Sequence, residues 1–154
     1  RWVAEPEHRL SFSQSDGLPR GVAIALRLTA EDARNGMMPS PGRITGLQLP
    51  GGPGVRVDTH CTVGAMISPY YDSMIAKIIV HDRDRDAARR RAIRALFETR
   101  IDGVTTNIPF LLGVLEHANY EANLFHTKWL EEQMPSILQV LESATPQGEA
   151  RGGL

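Results

Sequence analysis

Residues 23–32 read AIALRLTAED, and Val22 extends the run at its N-terminal side. Alternation puts Val22, Ile24, Leu26 and Leu28 on one face of a strand and Ala23, Ala25, Arg27 and Thr29 on the other. A strand patterned this way needs a neighbouring strand and a covering layer for its aliphatic face. Its single full charge, Arg27, has two readings. On the first, the outer face is a solvated sheet surface, where arginine is ordinary. On the second it is a binding face. The small Ala23 and Ala25 leave room there beside a guanidinium whose rigid fork of donors suits anions and developing oxyanions.

Working outward, RLSFS (9–13) alternates ahead of a turn at QSDGLPRG. After AIALRLTAED come a turn at MMPSPG, a short strand RITGLQL, a GGPG turn and a strand VRVDTHC. SMIAKIIVHD (73–82) is apolar along most of its length, which predicts a strand interior to the sheet. From there the period changes. DAARRRAIRALFETR (86–100) carries Ala88, Ala92, Ala95 and Leu96 at helical spacing, with Asp84 or Asp86 as N-cap. IDGVTTN is predicted as a turn, with Gly103 at the helix stop. IPFLLGVLEHA (108–118) starts a second helix with Pro109 in its first turn. HTKWLEEQM (126–134) is a third helix, closed by Pro135. Strands followed by helices predict an α+β fold, with an antiparallel sheet from the first half packed by about three helices from the second.

The chain has 154 residues, 42% of them apolar and 23% charged, with a formal net charge of −1. That is about one domain with a real core and no bulk bias toward nucleic acid or anionic membrane. A single cysteine, Cys61, excludes an internal disulfide and fits a reducing compartment, so a cytoplasmic location is expected. No apolar run approaches the roughly 20 residues a membrane span needs. The start, RWVAEPEHRL, is neither an initiation site nor a signal peptide, and the chain reads as a piece of a longer polypeptide. The expected organisation is the tail of a preceding segment with a first strand at 1–20, one domain at 21–135, and a disordered linker at 136–154.

Several chemical readings fail on context. GGPG (51–54) precedes a strand rather than a helix, so it reads as a hairpin turn and not as a phosphate loop. The arginines of HDRDRDAARRRAIR alternate with acids and lack aromatic partners, which describes a solvated helix face. The five histidines and Cys61 show no metal-ligand spacing. Asp72, after two tyrosines, reads either as an Asx-turn or as a carboxylate that orients an arginine.

Taken in order, AIALRLTAED, MMPSPGRIT, GGPGVRVDTH, YYDSMIAKIIV and GVTTNIPFL resemble the C-terminal domain of biotin carboxylase. This component occurs in acyl-CoA, pyruvate and urea carboxylases. The resemblance is collinear from about Gly21 to about Trp129. It implies an ATP-grasp enzyme that uses ATP and magnesium to activate bicarbonate and then carboxylates biotin held on a carrier domain. It places Arg27 against the biotin ureido oxygen, Asp72 as a partner that positions Arg27, and Arg56 at a homodimer contact. It assigns the ATP and magnesium ligands to segments upstream of Arg1, and implies a carboxyltransferase as a further partner. The fragment is then expected to be inactive alone. Ala25 and Thr29 stand where the family ordinarily carries glutamate and asparagine. The alternative is a non-catalytic dimerisation or docking module derived from the same domain.

Overall fold

The longest strand among the described residues is Met74–Asp82 (β8), and the sheet is built around it. A computed structural model describes residues 17–143. Strand β1 (Val22–Thr29) pairs antiparallel with one side of β8, and β6 (Val55–Thr59) pairs antiparallel with the other. The order β1-β8-β6 makes β8 the interior strand, as its run of apolar residues predicts. Alternation along β1 is as expected as far as Leu28, but Thr29, expected on the outer face, is buried past a register shift. Leu26 and Leu28 are buried while Ala23, Ala25 and Arg27 are exposed.

Helix α1 (Arg85–Glu98) covers the aliphatic face. The chain enters it through Asp84, whose carboxylate accepts the Ala87 backbone N–H at 2.8 Å, so Asp84 rather than Asp86 is the N-cap. Ala88, Ala92, Ala95 and Leu96 all point into the core with Leu28, Ile44, Ile75, Ile78 and Val80. Three alanines on one stripe carry little side-chain bulk, which lets the helix axis lie close to the sheet.

Short strands frame this layer. Glu31–Asp32 (β2) pairs with Met38–Pro39 (β3), Gly42–Arg43 (β4) with Met66–Ile67 (β7), and Gly46–Gln48 (β5) with Arg100–Asp102 (β9). Two expectations change here. GGPG is a turn, with Gly52 and Gly54 at φ 94° and 72°, but the strands flanking it do not pair with each other. Helix α1 ends at Thr99, and the predicted turn after it holds β9 instead. Gly103 therefore does not stop the helix. It turns the chain after β9 at φ 98°, where a Cβ would collide with the Arg43 carbonyl oxygen.

Helices α2 (Ile108–Glu116), α3 (Ala118–Glu121) and α4 (Trp129–Ser143) form the second layer. Their own cluster of buried residues is Ala33, Phe110, Trp129, Ile137 and Leu141. The third predicted helix does not close at Pro135, because α4 runs through it to Ser143. A proline inside a helix costs about 3 kcal/mol. Burying Ile137 and Leu141, at 2% and 9% exposure, returns about 1.5–3 kcal/mol each. The approach is close: a Cβ on Gly113 of α2 would lie 2.9 Å from Ile137. The expected strand at 9–13 and most of the expected linker lie outside the described residues. Among the described residues no helix is long and apolar enough to cross a membrane.

Candidate functional site

The face of the β1-β8-β6 sheet opposite α1 carries the charges. Arg27 stands across from Lys77, and Lys77 stands across from Asp58 on its other side. The next row along is Ala25, Ile79 and Arg56. Arg56 donates from Nε to the Asp58 carboxylate at 2.9 Å. Ala25, where the resemblance implies a glutamate, is exposed and leaves the surface beside Arg27 low. Arg27 and Lys77 thus put two cations side by side at one end of an open surface.

Arg27 and Asp72 do meet. Nη2 of Arg27 lies 3.5 Å from Oδ2 of Asp72, and both side chains are 63% exposed. An ion pair this long and this exposed contributes about 0–1 kcal/mol. Only Nη2 of the guanidinium contacts Asp72. Asp72 also makes an Asx-turn, because Oδ1 accepts the Met74 backbone N–H at 2.9 Å. Tyr70 and Tyr71, just ahead of it, are exposed.

Three residues that no sequence pattern singles out lie behind the pair. Asn107, at the N-terminus of α2, makes no cap bond with its side chain. Its Nδ2 donates to the Arg27 carbonyl at 3.1 Å and its Oδ1 accepts the Thr29 N–H at 3.0 Å. Glu31 accepts from the hydroxyls of Ser73 at 2.6 Å and Thr29 at 3.0 Å. Its position ahead of a helix signals a cap, so the sequence points away from Asn107's bonds to β1.

The arginines of α1 are committed elsewhere. Arg90 pairs with Asp86, Arg91 with Asp82, and Arg94 with Glu98. Arg89 is not on the solvated face the charge pattern predicts; it is buried and bonds Leu115 O and Glu121, tying α1 to α2 and α3. The Arg83 N–H, and after it the Arg91 guanidinium, hold the Asp82 carboxyl below the usual aspartate range. The Ala87 N–H, followed by Arg83, does the same for Asp84. Burial pushes the Cys61 thiol up, which keeps it protonated and a poor nucleophile near neutral pH. Among the described residues no group of three or more His, Cys, Asp or Glu could hold a metal ion.

The architecture is that of a domain found in biotin-dependent carboxylases. The chain superposes with a TM-score of 0.78 and 39% identity on the biotin carboxylase domain dimer of the Hydrogenobacter thermophilus 2-oxoglutarate carboxylase, a complex with MgADP, ADP and bicarbonate. The match covers 84% of this chain and 28% of that one. Against the complete multifunctional pyruvate carboxylase of Rhizobium etli the TM-score is 0.79 at 32% identity, covering 90% and 13% of the two chains. In sequence it is 48% identical over 122 residues to biotin carboxylase 1 of Bacillus subtilis, covering 79% of this chain and 27% of that protein. Residues 25–132 match the family described as the biotin carboxylase C-terminal domain. The chain belongs to that family. It spans only 27% of the length of the Bacillus subtilis relative.

Proposed function

We propose that this domain supplies the biotin side of a biotin carboxylase active site, with Arg27 as the catalytic cation. The observation that carries the reading is the placement of Arg27: a guanidinium on a rigid strand, 63% exposed, lightly aligned by Asp72 and beside the second cation Lys77. Carboxylation at a ureido nitrogen builds negative charge on the ureido oxygen, and a cation fixed in advance at that oxygen lowers the barrier. Asp72 holds the guanidinium plane toward the open face. Biotin, presented by a carrier domain, is the substrate of this half-site. Magnesium finds no acidic cluster among the described residues. ATP and the metal belong, on this reading, to ATP-grasp segments of a parent chain, in a cytoplasmic ligase that hands its carboxyl group to a carboxyltransferase. On this reading the isolated domain is inactive.

The test is Arg27→Ala in the parent carboxylase, with free biotin as acceptor. Biotin carboxylation should fall by about 10²–10³-fold, while bicarbonate-dependent ATP hydrolysis without biotin persists. An unchanged biotin rate would refute the assignment and favour the docking-module reading. The same open face also suits a second copy of the chain. Arg56 and Asp58, paired at 2.9 Å within the chain, offer one charge of each sign, which a two-fold axis would set against the opposite charges of a second copy. Arg56→Glu should weaken that dimer, read by sedimentation.

A further inference from the structure

We infer that Asn107, together with the Glu31–Ser73 bridge, positions Arg27 and Asp72 relative to each other and so sets the rate of the biotin step. The inference rests on the reading of Arg27 given above and adds the residues through which the fold aims it.

The irregularity that matters is in β1. Its register with β8 is regular from Val22 opposite Asp82 to Leu28 opposite Ala76, then shifts between Leu28 and Thr29, so that Thr29 stands opposite Met74. The ladder is therefore disturbed just after Arg27, and β1 is an edge strand of its sheet. Left alone, this end of the strand would be its loosest part. Asn107 takes hold of it with three groups. Its Nδ2 donates to the Arg27 carbonyl, its Oδ1 accepts the Thr29 N–H, and its own N–H donates to the Thr29 carbonyl at 3.1 Å. One buried residue acts here as a short strand against the free edge of β1.

Asp72 is held from the same segment. Ala30 donates its N–H to the Ser73 carbonyl at 2.8 Å. The Glu31 carboxylate then joins the hydroxyls of Thr29, which closes the strand carrying Arg27, and of Ser73, which directly follows Asp72. Thr29, Ser73 and Asn107 are each 8% exposed, whereas Arg27 and Asp72 lie in solvent. The rigid part of the site is thus the buried network, and the exposed pair takes its direction from the main chain beneath it. A shift of the order of 1 Å in a catalytic group costs about a hundredfold in rate, so this network governs turnover without touching substrate.

Two substitutions in the parent carboxylase test it. Asn107→Asp keeps the volume and the acceptor for Thr29 but sets an oxygen against the Arg27 carbonyl. Ser73→Ala removes one arm of the Glu31 bridge, and Ser73→Thr restores a hydroxyl. With free biotin as acceptor, kcat should fall by about tenfold to a hundredfold in Asn107→Asp and less in Ser73→Ala, with recovery in Ser73→Thr. Biotin-free, bicarbonate-dependent ATP hydrolysis and the KM for ATP should stay at the wild-type level. A proportional loss of both activities, or no recovery with threonine, would reduce the network to ordinary structural support and overturn the inference. So would wild-type biotin turnover in Asn107→Asp alongside a crippled Arg27→Ala. If Arg27→Ala itself is fully active, the reading of Arg27 fails first and takes this one with it.

Discussion

The two faces of the β1-β8-β6 sheet share strands and register but little else. Beneath α1 the sheet presents Leu26, Leu28, Ala76, Ile78 and Val80, each almost fully enclosed. The opposite face presents Arg27, Lys77, Arg56 and Asp58, with Asp72 at its margin. Because side chains alternate along a strand, one backbone serves both faces from Val22 to Leu28, until the register shifts at Thr29. Burial is concentrated on one side and charge on the other, and substitutions should separate accordingly.

The largest effect is expected on the closed face. Ile78→Ala removes a side chain at 0% exposure and should cost about 2–5 kcal/mol, read by denaturant unfolding of the chain. A loss as small as that of a surface variant would erase the contrast. Acid should act next, through the fastening of the cover. Asp82 and Asp84 both have depressed folded-state pKa values. Their contribution is complete above the unfolded aspartate value of about 4 and is lost as pH falls through the lower folded values. The pH at which stability begins to fall should therefore move when Asp84→Asn removes one of these groups. The smallest effect belongs to the open face. Lys77→Ala should leave stability within about 0.5 kcal/mol of the parent chain, by thermal unfolding.

The parts of the fold that were legible in the sequence are those long enough to show a period. Eight residues of β1, nine of β8 and fourteen of α1 each repeat their pattern several times. Strands of two or three residues, such as β4, β7 and β9, contain no full repeat and depend on partners far along the chain. Pro135 misled for a related reason. Its local chemistry argues for a helix end, and the burial of Ile137 and Leu141 against α2 outweighs it. Arg27 and Asp72 were visible as charges out of pattern, and the structure brings them to 3.5 Å. Asn107 was not visible, because its work is done on a strand 80 residues earlier.

The central position of β8 also fixes when this molecule can fold. Val22 at the start of β1 pairs with Asp82 at the end of β8, and β6 waits for the same strand. No pair within this sheet can close as a local hairpin, and such long-range pairing is slow. On a ribosome delivering roughly 5–20 residues per second, β1 emerges several seconds before β8, its partner in the sheet, exists. During that interval an unpaired strand of Val22, Ile24, Leu26 and Leu28 faces other nascent chains. The one charge interrupting it is Arg27, and a charge in an exposed apolar strand opposes edge-to-edge aggregation. The residue proposed to serve the finished site thereby also protects the strand while the site is still being made.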